Sequence, residues 1–193
     1  MGCRKTRDFR RMNCEADLFQ HIYLTGYRGT GKTSVGRLIA QQRQMPLVDL
    51  DLQIESDAEM TIRQIFDKGG ESLFRDLEST ALMKVSGNHT PSVISLGGGA
   101  ILRKENRDLI RKTGVCLWLD CDAQTLAGRI QSDESTAQRR PSLTSRGLID
   151  EIEPLLCERR PLYQEVASVR VDTCGKSIAQ VAARALEWLQ DQP

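Results

Sequence analysis

The sequence predicts an α/β fold of three layers, with a five-stranded parallel sheet and helices on both of its faces. Short apolar runs alternate along the chain with stretches of helical periodicity, which is the pattern of repeated βα units. Glycines or acidic residues follow the first three runs directly, and ligands bind at the carboxyl ends of the strands in such sheets. The length of 193 residues suits a single domain with a sizeable core.

The first apolar run, residues 22–24, leads into the stretch 26–33, which reads Gly-Tyr-Arg-Gly-Thr-Gly-Lys-Thr. Helical periodicity follows over 34–44, so the stretch has the context of a phosphate-binding loop. Glycines let backbone N–H groups surround phosphate oxygens, and the helix N-terminus adds partial positive charge. Lys32 would reach the β- and γ-phosphates, and the Thr33 hydroxyl would ligate Mg²⁺. We predict nucleotide binding at Gly29, Thr30, Gly31, Lys32, Thr33 and Ser34.

The remaining elements are predicted in chain order from the same two periodicities. A second strand covers 46–51, and helical pattern covers 62–66 and 70–85 with a break at Gly69 and Gly70. A strand over 92–96, a helix over 103–112, a strand over 115–119 and a helix over 123–131 come next. Beyond a polar segment, a helix over 148–160, a short strand over 169–171 and an amphipathic helix over 178–189 complete the domain, 20–193.

Two acidic residues, Asp49 and Asp51, close the second predicted strand and would point the same way along it. A metal–nucleotide site needs an acid beyond the Thr33 hydroxyl, and Asp49 is the candidate, acting through water. Asp51 is the candidate to accept a hydroxyl proton from an acceptor substrate. Alternatively, one of the two caps a helix that begins near Gln53. Asp120, after the fourth strand, is a rival metal acid or a cap of the next helix.

Three successive glycines, Gly97, Gly98 and Gly99, directly follow the third predicted strand. They indicate backbone that approaches a ligand closely with N–H groups free to donate, or else a flexible turn. On the preceding helix, Glu71 and Glu78 flank Arg75 on one face. This spacing fits either a surface ion-pair ladder or glutamates that orient Arg75 toward a substrate anion.

The polar segment 132–147 is long for a connection in a compact domain and predicts a lid. It contains Arg139 and Arg140, and a lid arginine could stabilise charge on a transferring phosphoryl group. The alternative is a solvated charge cluster. Arg159 and Arg160 end the following helix, where basic residues are favoured in any case.

Composition excludes several classes of protein. The 27 basic and 26 acidic residues nearly cancel, so we expect no nucleic-acid or membrane partner. The six cysteines show no metal-ligand spacing, which predicts free thiols in a reducing cytoplasm and no zinc site. Residues 1–19 are basic and fit a mobile tail, although their first six also match a loose myristoylation pattern. We expect a cytoplasmic monomer.

Taken together, these motifs resemble shikimate kinases over residues 21–173. The resemblance lies in the phosphate loop, Asp49-Leu50-Asp51, Glu71-x-x-Phe74-Arg75-x-x-Glu78, Leu96-Gly97-Gly98-Gly99, Arg140-Pro141 and Arg159-Arg160-Pro161-Leu162-Tyr163. It implies a P-loop kinase fold, similar to nucleoside monophosphate kinases, with a mobile lid. It also implies transfer of the ATP γ-phosphoryl to the 3-hydroxyl of shikimate, in the route to chorismate.

The resemblance further implies a role for each matching residue. Catalysis would involve Lys32, Asp51 and Arg140, with Mg²⁺ held by Thr33 and, through water, by Asp49. The acceptor would contact Asp51, Arg75, Gly97, Gly98, Gly99 and Arg159, the two arginines clamping its carboxylate. ATP would also contact Arg140 and, near adenine, Arg129 and the loosely aligned Lys176.

Two other functions share part of this pattern. A gluconate kinase would have the same phosphate loop but no obvious need for paired carboxylate-binding arginines. A catalytically silent nucleotide-binding module would be expected to lack Asp51 or the lid arginine, and both are present.

Overall fold

A computed structural model describes residues 21–132 and 148–191, and in these ranges a single parallel sheet forms the centre of the molecule. Its strands are β1 (His21–Thr25), β2 (Leu47–Asp49), β3 (Val93–Ser95), β4 (Gly114–Asp120) and β5 (Val169–Asp172). The strands lie in the order β2-β3-β1-β4-β5, and each neighbouring pair is parallel. The predicted five-stranded parallel sheet is therefore confirmed.

Helices connect the strands and cover both faces of the sheet. They are α1 (Lys32–Arg43), α2 (Leu50–Ala58), α3 (Ile62–Ser86), α4 (Lys104–Thr113), α5 (Ala123–Ser132), α6 (Leu148–Val166) and α7 (Ile178–Gln190). Two of them begin with a capping box, α3 at Thr61 and α7 at Ser177, because each hydroxyl accepts from the N–H of the glutamine three residues later.

The hydrophobic core lies on both faces of the sheet, so the three central strands, β3, β1 and β4, have little exposed surface. Tyr23 of β1 packs on one side with residues of α2, α3 and α4, including Phe74. Its neighbours Ile22 and Leu24 pack on the other side against α1 and α7. Such two-sided burial explains why the strands read as continuous apolar runs. The three predicted layers are confirmed.

The second strand ends earlier than the sequence predicts. Leu50 already begins α2, and the Asp49 carboxylate accepts a hydrogen bond from the Asp51 N–H at 3.1 Å. That bond satisfies one of the open N–H groups of the first helical turn. Asp49 is therefore the helix cap that the sequence offered as an alternative, and the helix begins at Leu50 rather than near Gln53. The prediction that Asp51 shares a strand face with Asp49 is wrong, because Asp51 lies in the helix.

Two further boundaries depend on local chemistry. The predicted break in α3 lies at Gly70, whose φ of 64° and ψ of −162° interrupt the helix. Helix α6 continues past its predicted end, through Pro154 and Pro161, to Val166. A proline inside a helix costs about 3 kcal/mol. Burial of Tyr163 and Val166 in the core beyond Pro161 offsets this cost.

Several predictions fall on residues 1–20 and 133–147, which lie outside the described residues. These include the basic tail and the lid with Arg139 and Arg140; of the predicted lid segment, only Ser132 is described, and it ends α5. Across 21–132 and 148–191, no helix combines the length and hydropathy needed to cross a bilayer.

Candidate active site

The loop between β1 and α1 has the backbone that a phosphate-binding loop requires. Gly29 and Gly31 take φ values of 83° and 86°, a left-handed region that other residues rarely adopt. Lys32 opens α1, and its ammonium donates to the carbonyls of Gly26 and Tyr27, both at 2.9 Å. The lysine is therefore held along the loop, at the helix N-terminus where the dipole favours anions.

A cavity of about 310 Å³ opens above this loop, at the carboxyl ends of β1, β2 and β3. Its lining contains most of the residues predicted for the nucleotide and the metal: Gly29, Gly31, Lys32, Thr33, Ser34, Asp49 and Arg129. Three residues predicted for the acceptor line it too: Asp51, Gly97 and Gly98. Thr30 is buried instead, and its hydroxyl donates to the Tyr27 carbonyl at 2.8 Å. Its side chain supports the loop.

Oxygen atoms converge where the metal ligands are predicted. The Thr33 hydroxyl donates to Asp49 Oδ2 at 2.8 Å and lies 3.2 Å from the Ser95 hydroxyl. A set of hydroxyl and carboxylate oxygens suits a hard cation such as Mg²⁺, which keeps several of its waters when bound. The residues present therefore fit the predicted metal, and Asp51 lines the same cavity.

The rival acid, Asp120, has neither of its two predicted roles. Its carboxylate is almost fully buried and accepts from Arg170 Nε at 3.0 Å, on the far side of β1 from β2. The cap of α5 is Asp122, whose carboxylate accepts from the Thr125 N–H at 2.7 Å. Strand order decides the question, because β4 lies between β1 and β5.

A second cavity, of about 450 Å³, adjoins the first and contains both predicted carboxylate-binding arginines, Arg75 and Arg159. Arg28, Ile62 and Gly98 line both cavities, so the two spaces share a wall. The arrangement places a cationic pocket beside a phosphate-binding pocket.

Arg75 is held by the two glutamates of its helix face. Its guanidinium lies 2.9 Å from Glu71 Oε1 and 2.7 Å from Glu78 Oε2, and the Glu78 side chain is only 1% exposed. Burial lowers the pKa of Arg75, but the two carboxylates raise it by more, so that the net pKa lies above the ordinary value. Both ion pairs of the predicted ladder are therefore present, and the guanidinium also lines the larger cavity, so that binding of an anion by Arg75 stays a prediction.

The three successive glycines form a buried turn against the two cavities. A Cβ at Gly99 would lie 2.5 Å from the Arg75 guanidinium, so a side chain there would displace the arginine. The Gly98 carbonyl accepts from the Tyr163 hydroxyl at 2.6 Å, which fixes the turn from α6. Burial raises the pKa of Tyr163, so its hydroxyl keeps the proton that it donates. The alternative of a flexible turn is therefore wrong.

The choice between Arg159 and Arg160 follows from the cavity lining. Arg159 lines the larger cavity and its guanidinium lies 5.9 Å from the centre of the Tyr27 ring. Arg160 is absent from the described side chains of that lining.

The two residues predicted near adenine differ in position. Arg129 donates to the Thr173 carbonyl at 2.6 Å and approaches the Gly29 carbonyl at 3.4 Å, so it joins the phosphate loop to the loop after β5. Lys176 lies on that second loop and pairs with Asp172, and neither cavity includes it among its described lining residues.

Sequence reasoning missed part of the site. Arg28 occupies an unspecified position of the loop motif, yet it lines both cavities and lies 3.8 Å from buried Glu151. Ser95 could have been predicted as a site residue, because it lies at the end of a strand, just before the glycine turn. The apolar wall at Ile62 and Phe66 could not have been predicted, since apolar residues at helical spacing are equally typical of a hydrophobic core.

The sequence of this chain is similar to that of known proteins over most of its length. A family model described as Shikimate kinase matches residues 28–190. A shikimate kinase of Rhodopirellula baltica is 44% identical over 168 residues, covering 87% of this chain and 89% of that protein. One from Symbiobacterium thermophilum is 38% identical over 172 residues, covering 89% of this chain and 97% of that protein.

Solved structures agree with the sequence relatives. The structure of shikimate kinase from Acinetobacter baumannii in complex with shikimate superposes with a TM-score of 0.82 at 31% identity, covering 89% of this chain and 93% of that chain. The chain therefore belongs to the shikimate kinase family, and its fold is that of an ATP-dependent P-loop kinase.

Proposed function

We propose that this protein transfers the γ-phosphoryl group of ATP to the 3-hydroxyl of shikimate. One observation carries the proposal: a phosphate-binding cavity shares Arg28 and Gly98 with a cavity that contains Arg75 and Arg159. Shikimate is an anionic polyol, so it needs a cationic pocket next to the phosphate that it receives.

The nucleotide binds at the loop between β1 and α1. Backbone N–H groups from Gly29 to Thr33 surround its phosphates, with Lys32 reaching the β- and γ-phosphates. Arg129 lies at the nucleotide end, where it joins Gly29 to the loop after β5. Arg140 of the lid would stabilise charge on the transferring group. Lys176 stays a predicted contact near adenine, although it pairs with Asp172 and is outside the described lining of both cavities.

Mg²⁺ is the proposed metal, held by the Thr33 hydroxyl and, through water, by Asp49. When bound, it neutralises charge that develops on the phosphate oxygens. The hydroxyl of Thr33 and the carboxylate of Asp49 are already 2.8 Å apart, so little rearrangement is needed.

The acceptor occupies the larger cavity. Arg75 and Arg159 bind its carboxylate, and the turn from Gly97 to Gly99 supplies backbone donors. Asp51 lines the smaller cavity together with Asp49, and from there it would orient the acceptor hydroxyl and take its proton. Transfer through a loose transition state requires mainly such positioning.

The proposal includes a single domain over 20–193, a mobile basic tail over 1–19 and a lid near 132–147. It also includes action as a cytoplasmic monomer without nucleic-acid or membrane partners.

The test is ADP release from ATP and Mg²⁺, measured separately with shikimate, quinate and gluconate. We expect release that depends on both Mg²⁺ and shikimate. Turnover of gluconate without turnover of shikimate would assign the chain to a different acceptor, and ATP binding without turnover of any acceptor would favour a silent nucleotide-binding module.

A further inference from the structure

Two cysteines from distant parts of the chain meet at the carboxyl ends of neighbouring strands. Cys121 follows β4 directly, and Cys174 lies two residues beyond the end of β5. The strands pair in parallel with Asp120 opposite Asp172, so the loops after them are adjacent. The two Sγ atoms lie 3.3 Å apart.

A carboxylate completes the cluster. Asp122 Oδ2 lies 3.0 Å from Cys174 Sγ, and the ligand atoms of Cys121, Asp122 and Cys174 all lie within 4.8 Å of one another. Asp122 is fixed as the cap of α5 by the Thr125 N–H, so its position depends on the helix rather than on the cysteines. The cluster therefore brings two thiols to a carboxylate that is already in place.

We propose that Cys121, Asp122 and Cys174 bind a thiophilic divalent cation of the Zn²⁺ class, with water as the fourth ligand. Two thiolates and a carboxylate in tetrahedral arrangement are ligands that this class of metal prefers. On binding, each thiol releases its proton to solvent, and the cation takes the place of the proton that Cys174 donates to Asp122.

The geometry requires only a small adjustment. Zn–S bonds of about 2.3 Å at a tetrahedral angle place the two sulfurs about 3.8 Å apart. The sulfurs must therefore separate by about half an ångström from their present contact. Cys121 is buried and Cys174 is partly exposed, so Cys174 is the sulfur with more room to shift.

Charge favours a cation here over a disulfide between the same two residues. Disulfide formation proceeds through a thiolate, and a carboxylate beside the thiols disfavours a further negative charge. A divalent cation relieves most of that repulsion, because its two positive charges offset two of the three negative charges on the carboxylate and the thiolates.

The site is separate from the one formed by Thr33 and Asp49. That site offers hard oxygen ligands, whereas this one offers two sulfurs, so the two sites select different metals. It adjoins the nucleotide side of the molecule, because Thr173, next to Cys174, accepts from Arg129. Cys121 and Cys174 are 53 residues apart, which explains why spacing along the chain showed no zinc site.

Co²⁺ titration of the reduced full-length chain tests the proposal, because cobalt–thiolate bonds give a near-ultraviolet charge-transfer band and oxygen ligands do not. We expect the band to saturate at one equivalent of Co²⁺, to disappear when Zn²⁺ is added and to persist in excess Mg²⁺. Cys174→Ser should abolish it. Asp122→Asn keeps the helix cap and should weaken Co²⁺ affinity by at least about tenfold.

Matched variants remove thiols outside the cluster. Cys157→Ser, and the double variant Cys3→Ser/Cys14→Ser, should keep the band unchanged. In the unaltered protein, one equivalent of Zn²⁺ should slow alkylation of Cys174, followed by peptide mass spectrometry, and leave that of Cys157 unchanged. A band that survives Cys174→Ser, the absence of any band, or Zn²⁺ without effect on Cys174 alkylation would each overturn the proposal.

Discussion

At the scale of single residues, Arg75 is a partly buried charge whose proposed role is recognition of an anion. Placing a guanidinium and the Glu78 carboxylate in a partly buried setting costs desolvation, so the pair alone is weak evidence for stability. A second carboxylate, Glu71, holds the other edge of the guanidinium. With both glutamates on one helix face, the arginine has a fixed direction toward the cavity and keeps its charge at any physiological pH.

Arg75→Ala should raise the KM for shikimate by about ten- to a hundredfold and leave the KM for ATP nearly unchanged. A hydrogen bond to a charged group contributes about 1.5–3 kcal/mol, which sets that range. Arg103→Ala is the matched control. Arg103 pairs with Asp76, which lies on the same helix as Arg75, but Arg103 itself is outside the described lining of both cavities. Steady-state kinetics would refute the role of Arg75 if the two variants had equal shikimate constants.

Asp51 could serve as a general base or only position the acceptor hydroxyl, and the substitution Asp51→Asn distinguishes these two roles. Asp51→Asn keeps the shape and loses the basic oxygen, and positioned general bases contribute about 10²–10⁴-fold. We expect kcat at saturating shikimate to fall by at least the lower figure, while ATP affinity stays constant because the loop before α1 holds the nucleotide. A kcat within a few-fold of the unaltered enzyme would make Asp51 a binding residue only.

At the scale of elements, the glycine turn after β3 places its backbone against the arginine from α3. Gly99→Ala should raise the KM for shikimate, because the new Cβ would occupy the place of the Arg75 guanidinium, 2.5 Å away. The fold should survive, since the contact is with the far end of a flexible side chain.

Gly128→Ala on α5 is the control, because a Cβ there meets no described atom within 4 Å. In an exposed helix interior, alanine stabilises the folded state relative to glycine by about 0.5–1 kcal/mol. It should therefore raise the melting temperature slightly and leave both Michaelis constants unchanged. If Gly99→Ala gave the same kinetic result as Gly128→Ala, the close approach of Gly99 to Arg75 would not matter for binding.

The elements were predictable from periodicity, but their ends were not. The apolar runs predicted every strand, and Gly70 predicted the interruption of α3. The second strand was predicted too long, because a cap bond from Asp49 starts α2 at Leu50. Helix α6 was predicted too short, because burial of Tyr163 beyond a proline is a tertiary effect.

At the scale of the whole molecule, the site depends on strand order, which no local pattern contains. Placing β3 between β1 and β2 brings the glycine turn between the phosphate loop and Asp49. Placing β4 on the other side removes Asp120 from the metal and pairs it with Arg170. The sequence predicted which residues lie at strand ends, and the sheet determines which of these ends form the cavities.

The two cavities share a wall, but most of their lining residues differ, so each should bind its ligand independently of the other. The rise in melting temperature that each ligand causes measures this binding. A ligand at about a hundred times its dissociation constant stabilises the native state by about 2.7 kcal/mol. For a chain of this length that corresponds to a rise in Tm of roughly 5–11 °C. ADP with Mg²⁺ and shikimate should each raise the Tm of the unaltered protein.

Substitutions in one cavity should remove the Tm shift caused by its own ligand and keep the shift caused by the other ligand. Lys32→Ala should lose most of the shift with ADP and keep the shift with shikimate, because Lys32 lies on the phosphate loop. Arg75→Ala should do the reverse, since it lines only the larger cavity. Both variants without ligand should unfold cooperatively, which excludes a general loss of structure. If either substitution removed both shifts from a cooperatively folded protein, the two cavities would have to be treated as one site, and the assignment of separate nucleotide and acceptor pockets would fail.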